Sequence, residues 1–396
     1  MLRTQTVNAG VSRIVILLLC NSKSKGGGTC TQYDSLLVIG KALWYSFCTI
    51  RYESEAIPTL YLSTFISGLQ EVIGAILAEK KIRALVHMLD GAVVYESDTF
   101  LGLECFNNTF EVLDMRPSRG RSAVLDMFNV LIRQGRRLTV TGSRSKRLST
   151  FRVVASDMNS PVSVPPQDRA ALEQLIQAKT GLTVNRVHPQ VEYWVLSRSE
   201  GLCFFLRRVT NARVGEKQLA QGALRPELTY VMNWLTRPQR SDVFADPFCG
   251  SGAILLSRAK HWGFFKMYGS DISAECVQAL RQRIRDAHLI HPERIELEAF
   301  PVWEMAERLP AGTVTRIVTD PPWGLFERID IPRLYASMLR AFSAACAPGA
   351  RIVLLTARKA ELETALAAFG PRYTIEQTYH ILVSGKKAAL YCLTVQ

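Results

Sequence analysis

The chain contains no Cys-x-x-Cys pair, although nine cysteines are scattered along its 396 residues. Unpaired spacings and an odd count argue against a zinc site or a disulfide framework and fit a reducing, cytoplasmic setting. No run approaches the ~20 apolar residues that a membrane-spanning helix needs, so no membrane partner is expected. Histidine is scarce, six in all, and no spacing among them suggests a metal site. Acidic residues are in deficit: 35 Asp+Glu stand against 48 Lys+Arg, a net charge of +13. That imbalance does not specify a fold but favours an anionic partner. Hydrophobic residues at 48% and charged residues at 21% exclude a disordered chain. At roughly 100–200 residues per domain, two or three domains are expected.

Residues 1–55 read differently from the rest. Arg3 and Arg13 precede a short apolar run, Ile14 to Cys20, the outline of a signal peptide. The run is short, and Leu19 is not the small residue that a cleavage site or a lipoprotein Cys20 would want. The segment is read as a poorly ordered extension. Residues 56–106 form a small α+β unit: a strand at Tyr61–Phe65, a helix at Gly68–Lys80, the Asp90-Gly91 turn and a strand at Ala92–Tyr95. Residues 107–212 form a second α+β unit. Its strands are expected at Thr109–Leu113, Leu138–Val140, Phe151–Ala155, Val191–Leu196 and Leu202–Arg207, with helices at Ala123–Gln134 and Gln167–Thr180, the latter stopped by Gly181. Residues 213–240 carry a linker helix, Arg225–Thr236, ended by Pro238. Residues 241–396 alternate strand and helix, the pattern of a doubly wound α/β domain. A closing hairpin is expected from Tyr379–Val383 and Ala389–Val395 around Ser384-Gly385.

Three motifs in the last segment carry chemistry. In Val243-Phe-Ala-Asp246-Pro247-Phe248-Cys249-Gly250-Ser251-Gly252, a strand runs into a Gly-x-Gly turn and a helix. Glycines allow φ > 0 and close approach of a ligand, and a helix start offers free N–H groups. The third glycine of the dinucleotide fingerprint is missing, which disfavours NAD. Some 20 residues on, Met267-Tyr-Gly-Ser-Asp271-Ile272 ends a short strand in an acid, placed to accept bonds from ribose hydroxyls. Alone, Asp271 reads equally well as a helix cap. The third motif is Thr319-Asp320-Pro321-Pro322-Trp323-Gly324. Two prolines remove N–H donors, leaving carbonyl acceptors beside a carboxylate. An exocyclic –NH₂ presents two donors to such a corner, and Trp323 offers a flat face to a base.

These residue sets resemble the class I S-adenosyl-L-methionine-dependent methyltransferases of the amino-methylating branch. The Asp246-to-Gly252 string is especially similar to the THUMP-containing RNA methyltransferases, which make N2-methylguanosine in tRNA and, in related enzymes, ribosomal RNA. Upstream, Phe151-Arg-Val-Val, Val191-Glu-Tyr-Trp and Cys203-Phe-Phe-Leu-Arg look like a THUMP domain, and Leu224-Arg225-Pro226 like its connector. Residues 58–110 look like the family's ferredoxin-like module. The resemblance covers about 58–396. It implies a Rossmann-like catalytic domain with S-adenosyl-L-methionine as cofactor. Gly250 and Gly252 would lie against the methionine part, Asp246 near its amino group and Asp271 on the ribose. Pro247, Phe248, Cys249, Ser251 and Ile272 complete the cofactor-binding set. Asp320, Pro321, Pro322 and Trp323 would hold the base, with Asp320 also taking the released proton. One departure stands out. The family's usual Asp after the third strand is absent from Glu298-Ala-Phe-Pro301-Val-Trp-Glu304, so Glu298, Glu304 or apolar contacts alone must serve the adenine.

Residues 116–152 contain ten Lys/Arg and a single acid, Asp126. Such a segment suits RNA phosphates. Arg136, Arg137, Arg144, Lys146 and Arg147 are its candidate RNA contacts, and Arg358 and Lys359 are further candidates. The expected activity is guanine-N2 methylation of tRNA without a metal. The rivals are adenine-N6 methylation, ribosomal RNA as substrate, and a catalytically silent RNA-binding protein.

Overall fold

The computed structural model describes residues 3–9, 12–18, 58–82, 84–140, 148–210, 223–324, 329–383 and 385–396. Two compact units are present, Met1–Ile57 and Pro58–Gln396. In the first, β1 (Arg3–Ala9) and β2 (Ser12–Leu18) pair antiparallel. The remainder of the expected extension lies outside the described residues.

The second unit contains two sheets. The first has nine strands, β3 (Thr59–Thr64), β4 (Ala84–Leu89), β5 (Ala92–Ser97), β6 (Asn108–Pro117), β7 (Thr150–Asp157), β8 (Ser160–Pro161), β9 (Thr183–Val184), β10 (Val191–Ser197) and β11 (Leu202–Arg208). Helices α1 (Gln70–Glu79), α2 (Gly120–Gln134) and α3 (Pro166–Thr180) accompany them. The strand order is β4-β5-β3-β6-β11-β10-β7-β8, with β9 beside β7. The sheet therefore runs without a break across residue 107. β6 pairs with β3 on one side and β11 on the other. Buried hydroxyls seal that seam, Ser63 Oγ lying 2.8 Å from Thr109 Oγ1 and 3.1 Å from the Tyr95 hydroxyl. Gly181 closes α3 in the left-handed region, as expected. Leu138–Val140 is not a strand. It follows a short 3₁₀ turn, Gly135–Arg137, and Leu138 is buried in the core with Val140 packed partly against it. Its apolar character reports burial rather than pairing.

The helix α4 (Pro226–Leu235), read from the sequence as a linker, is a wedge. Leu228, Val231, Met232 and Leu235 join one core with Tyr61, Phe65 and Leu69 from the first sheet region and Phe244 and Leu255 from the last. A helix apolar on most sides is buried, not bridging. Asn233 Nδ2 donates to the Ile254 carbonyl at 3.1 Å, and Trp234 Nε1 to Glu79 at 2.8 Å.

The second sheet is the doubly wound one. Its elements are β12 (Val243–Asp246), α5 (Ala253–His261), β13 (Lys266–Asp271), α6 (Ala274–Asp286), β14 (Ile295–Ala299), α7 (Met305–Arg308), β15 (Val314–Thr319), α8 (Ile331–Ala345), β16 (Cys346–Thr356), α9 (Lys359–Ala368), β17 (Tyr373–Val383) and β18 (Lys386–Val395). The order is β14-β13-β12-β15-β16-β18-β17. The first five are parallel and the closing hairpin is antiparallel. Chain direction reverses across the sheet between β12 and β15, so the ligand crevice of such folds lies beyond those two strand ends.

Glu104, between β5 and β6, ties the first sheet region to α5 of the doubly wound domain, bonding His261 Nε2 at 2.7 Å and Lys260 Nζ. The bond to His261, helped by Lys260, holds its carboxyl down at about 2 against an ordinary 4.5. A depressed carboxylate stabilises the fold above its unfolded pKa and loses that contribution as pH falls through the folded value. Glu104→Gln should cost about 1–2 kcal/mol at pH 7, discounted for partial exposure. In urea unfolding the gap to the unaltered chain should close between pH 4.5 and 2.

Candidate active site

The site sits at the carboxyl ends of β12, β13 and β15. Asp246 closes β12 and is 1% exposed. Its Oδ1 accepts from Thr319 Oγ1 at 2.9 Å and from the Phe248 N–H at 3.3 Å. Its Oδ2 is buried with no hydrogen-bond partner. Burial, with the Asp271 charge adding to it, pushes this carboxyl up to about 7. Asp271 ends β13. It accepts the Gly250 N–H on Oδ2 at 2.9 Å and the Ser273 N–H on Oδ1 at 3.0 Å, so the acid fixes the glycine turn as well as the start of α6.

The glycines differ in purpose. Gly252 has φ of +78°, and a Cβ there would stand 2.0 Å from Leu280 Cδ1 on α6. Leu280 of α6 occupies the place a side chain there would take. Gly250 has φ of +42°, and its nearest neighbour, Asp271 Oδ2, would be 3.9 Å from a Cβ. That space is what a bound ligand would use. Pro247 and Cys249 are buried in the turn, Phe248 and Ser251 are partly exposed, and Ile272 is 73% exposed just past Asp271. Burial pushes the Cys249 thiol far above its ordinary range, which removes it as a nucleophile.

Asp320 follows β15 directly. Trp323 Nε1 donates to its Oδ1 at 2.9 Å. The carboxyl lies deep among protein atoms, and burial with the Asp246 charge pushes it up to about 8. Pro321 is buried, and Pro322 and Trp323 are partly exposed. The structure thus brings the three sequence motifs to one crevice. Thr319, within the third motif, bonds Asp246. Beside the crevice stand two residues that no sequence motif marked: the buried Tyr335 hydroxyl lies 2.7 Å from Thr356 Oγ1. Tyr335 comes from α8 and Thr356 from the end of β16, and only the tertiary fold, which no local pattern encodes, brings them together.

On the adenine question, Glu298 and Glu304 are both engaged by Arg308, at 2.6 and 3.1 Å, and Arg308 lies 5.7 Å over the Phe300 ring. Neither glutamate stands free. Among the described residues no group of three or more His, Cys, Asp or Glu could hold a metal ion, and no helix is long and apolar enough to cross a membrane.

Of the candidate RNA contacts, Arg136 and Arg137 are exposed at the end of α2. Arg137 lines a groove with Arg116, Arg133 and Gln134. Arg144, Lys146 and Arg147 lie outside the described residues.

Residues 214–386 match the family model described as UPF0020, RMKL-like methyltransferase domain. This region is a methyltransferase domain. Its relatives include the tRNA (guanine(6)-N(2))-methyltransferase THUMP3 of Bos taurus, 31% identical over 43% of this chain and 36% of that protein. Another is the Bos taurus U6 snRNA (guanine-N(2))-methyltransferase THUMPD2, 33% identical over 33% of this chain and 25% of that protein. The tRNA (guanine(6)-N2)-methyltransferase of Thermus thermophilus is 28% identical over 55% of this chain and 65% of its own length. The chain thus matches about a third of the length of its first mammalian relatives. Among solved structures, TrmN from Thermus thermophilus aligns with a TM-score of 0.71 at 21% identity, over 85% of this chain and all of that one. The fold likeness therefore extends well upstream of the methyltransferase domain.

Raised carboxyl pKa values have a stability consequence. Asp320 in the folded chain keeps a proton that the unfolded chain releases above about pH 4, so its contribution is fully present below that pH and is lost as pH rises to about 8. Asp320→Asn escapes that loss. At pH 8 it should be more stable than the unaltered chain by about 1–3 kcal/mol, and equal to it near pH 4, by thermal unfolding at both pH values.

Proposed function

We propose that this chain transfers a methyl group from S-adenosyl-L-methionine to an exocyclic base amine of RNA, guanine N2 in tRNA, in the cytoplasm. The acceptor corner carries the reading. Asp320 has one oxygen taken by Trp323 and the other without a partner among the described residues, beside two prolines that offer no N–H. Only a donor-rich group suits it. The names of the relatives support guanine N2 over adenine N6, and free cysteines such as the exposed Cys276 support a reducing compartment.

The residues present fit the cofactor. The partnerless Oδ2 of Asp246 is a buried acceptor that an ammonium group would satisfy. Gly250 leaves open space, Asp271 has lone pairs remaining for ribose hydroxyls, and the exposed Ile272 offers an apolar face to adenine. Pro247, Phe248, Cys249, Ser251 and Gly252 shape the turn. When bound, S-adenosyl-L-methionine supplies an electrophilic sulfonium methyl. The protein's part is positioning and electrostatics. Asp320 and the Pro321 carbonyl accept the two amine N–H groups and favour a pyramidal nitrogen as charge develops. Trp323 stacks on the base, and alignment at the reacting distance supplies the proximity contribution. Asp320, with its affinity for protons raised by burial, takes the proton released from nitrogen. A base within a stem must first leave the stack, at a cost of a few kcal/mol. Residues 107–212 serve as the THUMP RNA-binding part, with Arg136 and Arg137 on phosphates and Arg144, Lys146 and Arg147 completing the basic segment.

Incubation of the full chain with labelled S-adenosyl-L-methionine and unmodified tRNA, U6 snRNA, ribosomal RNA or DNA should place label in N2-methylguanosine of tRNA. Asp320→Ala should lower that rate by roughly 100-fold or more. Label in N6-methyladenosine would overturn the base assignment. Cofactor affinity should rise from pH 6 to 8, because Asp246 and Asp320 ionise there and a cation binds better to the ionised forms. Calorimetric titration across that range checks it, and a flat profile would remove Asp246 from the cofactor site.

A further inference from the structure

The turn that carries Asp320 is held from outside by the next strand. β15 and β16 run parallel with Thr319 beside Leu354, so the chain leaving β16 emerges next to the chain leaving β15. Arg358 stands there, at the start of α9. Its Nε donates to the Trp323 carbonyl at 2.9 Å. Its backbone N–H donates to Thr356 Oγ1 at 2.8 Å, and that oxygen is 2.7 Å from the buried Tyr335 hydroxyl. Nη1 faces Glu361 at 3.5 Å. The guanidinium passes close to Gly324, where a Cβ would lie 3.5 Å from Nη2 and φ is +68°. Trp323 is therefore tied at both ends, its carbonyl to Arg358 and its indole to Asp320 Oδ1 at 2.9 Å.

A cation is misplaced at a helix N-terminus, where the macrodipole favours anions. Arg358 sits there nonetheless: Nη1 faces Glu361 of its own helix, while its directed hydrogen bond, from Nε, runs to the acceptor corner. We propose that Arg358 is a positioning residue. By holding the Trp323 carbonyl it fixes the plane of the indole and, through Nε1, the direction in which Asp320 presents its remaining oxygen to the substrate amine. This rests on the methyl-transfer reading above. The side-chain nitrogen that bonds is Nε, which lysine lacks at that point of its stem, so charge alone does not reproduce the clamp. A misplacement of about 1 Å at a reacting group costs on the order of 100-fold in rate.

The test uses the full chain labelled with 5-fluorotryptophan and ¹⁹F NMR, the Trp323 signal being identified by its loss in Trp323→Phe. Arg358→Ala should shift and broaden that signal, and Lys80→Ala, on the end of α1, should leave it in place. In methylation assays Arg358→Ala should lower kcat by roughly 10–100-fold while the KM for RNA and the Kd for S-adenosyl-L-methionine stay within about twofold. Arg358→Lys should recover only part of the rate. An unmoved Trp323 signal overturns the clamp whether or not methylation is seen. So does a raised RNA KM at unchanged kcat with a shallower salt dependence, which makes Arg358 a phosphate contact instead. An unaltered chain inactive on every RNA sinks the methyl-transfer reading alone, and the Trp323 signal still decides the clamp.

Discussion

Parallel pairing of β12 with both β13 and β15 decides where the acidic residues meet. Three strands that end side by side must deliver their terminal residues to one edge, and here those residues are Asp246, Asp271 and, one step on, Asp320. Desolvation and mutual repulsion oppose that gathering, as the raised carboxyls of Asp246 and Asp320 record. Each acid is steadied by a different donor: a threonine hydroxyl for Asp246, two backbone N–H groups for Asp271, an indole for Asp320. Among the described residues none of them pairs with a positive charge. A cationic ligand would relieve that frustration.

The opposite ends of the same strands are held by a different device. Arg258 of α5 is fully buried, with Nη2 donating to Asp242 at 2.8 Å and to the Gln239 and Gly263 carbonyls at 3.0 Å each. Its guanidinium lies 5.4 Å over Phe244. Asp242 also accepts from Thr315 Oγ1 at 3.3 Å, joining the entries of β12 and β15. Removing either partner of such a pair strands a buried charge, at about 3–5 kcal/mol. The floor of the sheet is thus pinned by charge pairing, with Arg258 Nε and Nη1 left buried without an acceptor among the described residues, and the crowded carboxyls stand at the rim.

What the sequence showed follows from range. The Asp246–Gly252 and Asp320–Trp323 strings are contiguous, so turn chemistry alone exposes them. Gly181 and the closing hairpin were legible for the same reason. Thr356 and Arg358 reach the site through the register of β16 and Tyr335 reaches it from α8, and nothing in their local context marks them for this crevice. The helix at 226–235 was visible as a helix but not as a wedge, because an apolar surface does not say which neighbours cover it. Leu138–Val140 failed the other way: its two apolar residues face the core without forming a strand.

The nine-stranded sheet has a bearing on how the chain can be cut. Its central strand β6 gives one edge to β3 and the other to β11. A fragment ending near residue 106 would leave β3 with a bare row of backbone donors and acceptors, and a fragment beginning there would leave β6 the same. Naked edges of that kind recruit other chains. The two parts that sequence reading separates at residue 107 are, mechanically, halves of one plate, and neither half keeps its paired edge when cut from the other.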